Sequence, residues 1–82
     1  MARLLFFGAL GDAMGRERTV ALPDGVTTTD ALTAYLCASD SVFADAFRRT
    51  KVKFAVNESI VGPEAPIGDG DEIAFLPPFS GG

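Results

Sequence analysis

Two hydrophobic periods alternate along the chain, and their order predicts the elements. "RLLFFG" (residues 3–8) reads as a first strand: Leu4 and Phe6 share one face, and Arg3, Leu5 and Phe7 share the other. Its near-continuous apolar run predicts a central strand covered on much of both faces. "ALGDAMGRE" is a glycine-bounded connection with room for one helical turn. "RTVALP" (residues 18–23) predicts a second strand with Val20 and Leu22 on one face, ended by Pro23 and a "PDG" turn.

The period then changes. In "TTTDALTAYLCAS" a helix is predicted, with Thr28 as N-cap, Asp30 in the first turn, and Leu32, Tyr35 and Leu36 on one face. In "DSVFADAFRRT", Val42, Phe43, Ala46 and Phe47 suit a short second helix or an irregular wrap. "KVKFAVNES" returns to a period of two: Val52, Phe54 and Val56 point in, and Lys53, Ala55 and Asn57 point out. Asn57 and Glu58 turn the chain into a short strand at residues 59–61. After the loop "GPEAPIGDGD", "DEIAFLPP" supplies a last strand with Ile73 and Phe75 inward and Ala74 and Leu76 outward. The order strand, strand, helix, strand, short strand, strand predicts an α+β domain, a mixed sheet of four to five strands packed on one main helix.

Length and composition narrow the class. Eighty-two residues, 48% of them hydrophobic, make one domain with a core. A chain this short buries roughly 60–65% of the surface it exposes when unfolded. No apolar run approaches a membrane span. The N-terminal "MARLLFFGALGDAMG" lacks a clean small-residue cleavage site and reads as structure rather than a signal peptide. The net charge of −4 argues against nucleic acid as a partner, and the basic cluster Arg48, Arg49, Lys51 and Lys53 reads as a solvated loop and strand entry. A single cysteine rules out an internal disulfide and fits a cytoplasmic setting.

Free-standing catalysis finds little support. Cys37 falls near the end of the long helix, and the chain has no histidine to activate it, so it reads as a partly buried helix residue. The same absence removes most zinc sites. "GDGDE" is explained by a tight turn before a strand, and no metal is expected. "GALGDAMG" lacks the Lys-Ser/Thr ending of a phosphate-binding loop.

The ending "FLPPFSGG" is different. Gly-rich termini are commonly frayed ends, but here Pro77 and Pro78 hold the chain extended, and Leu76 and Phe79 are apolar where a solvated tail would be polar. A terminal Gly81-Gly82 is the thinnest backbone available and can thread a narrow channel. From Phe79 to Gly82 the reach is roughly 13 Å.

"LLFFG", "FAVNESIV", "GDGDEIAFLPP" and the terminal "FSGG" together resemble, in order and spacing over the whole chain, the MoaD/ThiS family of ubiquitin-like sulfur carriers. The similarity is closest to the small subunits of molybdopterin synthase; Phe79 is bulkier than the residue common there. The resemblance implies a β-grasp (ubiquitin-like) fold over residues 1–82, with 77–82 a flexible C-terminal tail. It implies that an E1-like enzyme uses ATP to adenylate the Gly82 carboxylate. A sulfur donor such as a cysteine desulfurase or rhodanese then makes the thiocarboxylate. The tail, Pro77, Pro78, Phe79, Ser80, Gly81 and Gly82, would enter the large subunit in a heterotetramer and pass sulfur to a cyclic pterin phosphate, building a dithiolene. On this reading the chain is no enzyme alone and binds no cofactor tightly, nucleic acid or membrane. The resemblance also places the partner-binding patch at Phe7, Ile60 and Leu76, which strand parity puts on the outward face; a second small core under the loops is an equal reading for Phe7. Thiamine or cysteine synthesis, protein modification, and a non-covalent β-grasp binding module are the alternative functions.

Overall fold

The computed structural model describes residues 1–77. Among these, β1 (Ala2–Phe6), α1 (Gly8–Met14), β2 (Glu17–Val20), α2 (Thr29–Ser39), α3 (Ser41–Arg49), β3 (Lys53–Val56), β4 (Ser59–Val61) and β5 (Glu72–Leu76) follow in order. The strands form one mixed sheet in the order β2-β1-β5-β3-β4. The middle strand β5 runs parallel to its neighbour β1, and every other pairing is antiparallel. This is the β-grasp arrangement, with the first and last strands side by side at its centre.

Strand alternation divides the sheet sharply. Leu4 and Phe6 from β1 and Ile73 and Phe75 from β5 are essentially inaccessible and meet Leu32, Leu36, Phe43 and Leu10 from the helices. Phe75 is the hub of the aromatic packing. Its ring lies 5.2 Å from Phe6 in a stacked pair, and 5.7 Å and 5.5 Å from Phe43 and Phe54 edge-on. The residue that precedes the tail by two positions is thereby fixed on three sides.

The helices begin and end where local chemistry directs. The Thr28 hydroxyl accepts from the Ala31 N–H at 3.1 Å and caps α2. Asp40 caps α3 by accepting from the Val42 and Phe43 N–H groups, while its own N–H satisfies the Leu36 carbonyl at the end of α2. One residue therefore closes one helix and opens the next. Within α2, the buried Thr29 donates to the Gly62 carbonyl at 3.0 Å and ties the helix start to the loop after β4.

Four expectations need correction. The connection after β1 is a seven-residue helix, held to the core by Leu10, rather than a single turn. The second strand begins at Glu17 and ends at Val20, so Leu22 packs on the core from beyond it. Tyr35 and Val42 are exposed; α2 buries Leu32 and Leu36 with Thr29 and Thr33 instead, and α3 is a helix that fully buries only Phe43. Finally, β1 is central but covered on one face. Its other face carries Arg3, half-buried Leu5 and, just past the strand, exposed Phe7. No helix among the described residues is long and apolar enough to cross a membrane.

Candidate functional site

The uncovered face of the sheet is polar at one end and apolar at the other. At the polar end, Arg3 donates to Glu17 at 2.8 Å and to Glu72 at 2.9 Å, bridging β2, β1 and β5. The Arg3 guanidinium holds the Glu17 carboxyl below its usual range, chiefly through that hydrogen bond. Nearby, Asp71 accepts from the Asn57 side chain and the Gly68 N–H, and both bonds lower its carboxyl below the ordinary aspartate range. Asn57 in turn accepts from the Glu72 N–H, so the β3–β4 turn is locked to the start of β5.

The apolar end follows from register. Leu5 lies opposite Ala74, Ala74 opposite Ala55, and Ala55 opposite Ile60. These four residues make one outward row across the sheet. In the next row Lys53 pairs with Leu76, and the Phe7 N–H donates to the Phe75 carbonyl at 3.0 Å, which sets Phe7 beside the end of β5. Phe7 is 46% exposed and Ile60 56%, while Leu76 is half-buried. Ala55 and Ala74 are nearly inaccessible, yet neither belongs to the core cluster. Two small side chains thus floor a shallow depression, and Leu5, Ile60, Leu76 and Phe7 form its walls. The structure brings Phe7, Ile60 and Leu76 onto one surface, and Phe7 lies outside the core. The sequence reading missed Leu5, Ala55 and Ala74, because alanine carries little hydrophobic signal and only the register shows that these residues connect the other three.

The tail leaves from this same end. Pro77 is exposed and packs over Gly8, where a side-chain carbon would stand 3.2 Å from the proline ring. Gly8 also has φ of +63°, so both backbone and space require glycine there. Beside it, Phe6, Phe7, Gly8, Gly11, Asp12 and Arg16 line an open cleft of about 310 Å³. Gly11 lets α1 sit on the end of β1, since a side-chain carbon there would fall 2.7 Å from the Phe6 carbonyl oxygen. Pro78, Phe79, Ser80, Gly81 and Gly82 lie outside the described residues. Cys37 is partly buried and packs against the core, on the helical side of the sheet.

A β-grasp domain with an apolar depression at the root of its C-terminal segment has well-defined relatives. The ThiS family model matches residues 4–82. The chain belongs to the ThiS family. Over 82 residues, spanning all of both chains, it is 35% identical to the molybdopterin synthase sulfur carrier subunit of Escherichia coli strain K12. Among solved structures, SAMP1 from Haloferax volcanii superposes with a TM-score of 0.74 at 22% identity, covering 99% of this chain and 98% of that one. Subunit 1 and 2 of the molybdopterin-converting factor from Helicobacter pylori form a solved complex that includes a similar chain, with a TM-score of 0.65 at 22% identity and coverage of 99% and 97%. These two structures support the fold; the ThiS membership rests on the sequence match over the full domain.

Proposed function

We propose that this ThiS-family chain is the sulfur carrier subunit of a molybdopterin synthase, working in the cytoplasm and lending no catalytic group of its own. The observation that carries the reading is the full-length similarity to a sulfur carrier subunit, on a chain whose last described residue, Pro77, leaves the sheet at the apolar end of its uncovered face. An E1-like enzyme would transfer AMP from ATP to the Gly82 carboxylate, releasing pyrophosphate. A persulfide sulfur from a cysteine desulfurase or rhodanese would then displace AMP. Reductive cleavage of the resulting acyl disulfide by a thiol leaves the thiocarboxylate. The large subunit, bound as in the two-subunit arrangement named for the Helicobacter pylori complex, would receive the tail, and a heterotetramer would follow from a dimeric large subunit.

The domain's part is geometric. Phe75 is clamped by three aromatic rings, and Pro77 is seated on Gly8, so the tail is launched from a fixed point. Five further residues reach at most about 17 Å. Docking of the depression formed by Leu5, Ala55, Ala74, Ile60, Leu76 and Phe7 would hold that launch point at a set distance from the reacting centre. Deleting Gly82 shortens the reach by roughly 3.5 Å. The test is sulfur transfer to the cyclic pterin phosphate in a reconstituted synthase. The Gly82-deleted chain is expected to fold normally, bind the large subunit and transfer no sulfur. Transfer at the full rate would remove the terminus from the chemistry.

A further inference from the structure

The side-chain cations of this protein are unevenly used. Arg3 is bound to Glu17 and Glu72, Arg18 lies 3.6 Å from Asp40, and Arg48 and Arg49 both reach Asp45. Among the described residues, Arg16, Lys51 and Lys53 make no ion pair, and all three are exposed. They are also gathered at one place. The Arg16 carbonyl accepts from the Phe6 N–H, so Arg16 stands at the end of β1 and lines the cleft beside Phe7. Lys53 is paired in register with Leu76 on the uncovered face, and Lys51 precedes it by two residues. The root of the tail at Pro77 therefore has unpaired cations on both sides. The opposite end of the sheet is acidic, with Glu58 in the β3–β4 turn and Asp69, Asp71 and Glu72 at the start of β5.

Lys53 shares its row with Leu76, so a partner that covers Leu76 also removes water from the Lys53 ammonium. An ammonium losing water without a carboxylate in exchange opposes docking strongly. On the sulfur-carrier reading, the nucleotide and pterin phosphates would meet the tail at Gly82, whose extended reach from Pro77 is about 17 Å at most. The surface around Pro77 would then face the entrance to the channel rather than its end.

We propose that Arg16, Lys51 and Lys53 form a cationic collar around the tail root that pairs with carboxylates at the mouth of the channel in the large subunit. The proposal rests on the sulfur-carrier reading and specifies the chemistry of the surface that receives it. In a chain of net charge −4, the collar orients the molecule: its basic end is drawn to an acidic mouth while its acidic end is repelled.

Stopped-flow association with the large subunit of molybdopterin synthase from the same organism, between low and high NaCl, tests this. At low salt, K51E/K53E is expected to associate about tenfold more slowly than the unmodified chain, and K51Q/K53Q about threefold, with a flatter salt dependence in both. Arg16→Glu should act in the same direction. Reversal at the far end, E58K/D69K, should stay within about twofold. The positions are exposed, so thermal melts should coincide. Collar variants that associate at the unmodified rate at low salt would overturn the collar but leave the carrier reading standing. Binding of ATP by the isolated chain, lost in K51E/K53E, would reassign the collar to phosphate. Failure of the unmodified chain to bind the large subunit at any salt would overturn both readings.

Discussion

Replacing Phe7 with alanine separates docking from folding. Phe7 is 46% exposed and lies outside the core cluster, on the uncovered side of the sheet next to Leu76. A phenylalanine offers roughly 200 Å² of side-chain surface, so about 90 Å² remains for a partner to cover. At ~25 cal/mol per Å² that is about 2 kcal/mol, or roughly a thirtyfold rise in Kd for the large subunit. The cost to the fold is of similar size. The other roughly 110 Å² of the side chain is covered by the protein itself. It is worth about 2–2.5 kcal/mol at the same coefficient after subtracting what alanine keeps, still below the ~3–5 kcal/mol expected for a fully buried phenylalanine such as Phe43. Calorimetric titration against the large subunit gives the first quantity, and urea unfolding of the isolated chain gives the second. A Kd within twofold of the original, together with a stability loss of 3 kcal/mol or more, would show that Phe7 belongs to a second core and that the depression is not a docking face.

Gly11→Ala should destabilise by about 1–2 kcal/mol in urea unfolding. The gain of about 1 kcal/mol in helix propensity is outweighed by a methyl placed 2.7 Å from the Phe6 carbonyl oxygen, a backbone atom held in the sheet; a stabilised variant would mean that α1 is not seated as described. Glu58→Gly should stabilise by about 0.5–1 kcal/mol and raise Tm by several degrees, because Glu58 occupies the second position of a two-residue hairpin turn at φ of +73°; an unchanged or lower Tm would refute that turn geometry. Asp71 binds its proton less readily in the folded than in the unfolded chain, since its carboxylate accepts from Asn57 and Gly68. Its contribution to stability is therefore complete above the usual aspartate value of 3.8 and is lost as pH falls below it. Asp71→Asn should flatten the acid limb of the stability curve, and an unaltered limb would exclude Asp71 as its source.

Much of the fold was legible because the strands alternate cleanly. Of the positions read as inward, Phe54, Ile73 and Phe75 are in the observed core, together with Leu4 and Phe6 from one face of β1, while Val52 and Val56 pack partly buried against it. The pairing of β1 with β5 was not, since strand parity says which face a residue takes and nothing of its neighbour; that expectation came from resemblance. Helix α1 was hidden by its composition: Gly8 and Gly11 lower helix propensity and Leu10 is its only fully buried residue. Both glycines prove to be positional, one admitting Pro77 and the other the end of β1. The apolar depression was half visible. Phe7, Ile60 and Leu76 stand out by size and parity, whereas Ala55 and Ala74 matter by being small, which no hydrophobic pattern records. The collar was obscured for a related reason: Arg48 and Arg49, read with Lys51 and Lys53 as one solvated loop and strand entry, sit instead in the last turn of α3, where Asp45 reaches both from one turn back.

The central claim is that this domain exists to present a reactive glycine carboxyl terminus. The most direct measurement is the intact mass of the protein after incubation with an E1-like enzyme, ATP, a sulfur donor and a reducing thiol. Exchange of one terminal oxygen for sulfur predicts a gain of about 16 Da, confined by fragmentation to Gly82, abolished by deleting that residue, and retained in Cys37→Ala. An unchanged mass under conditions that load a bona fide carrier, or a gain that maps to Cys37, would contradict the account.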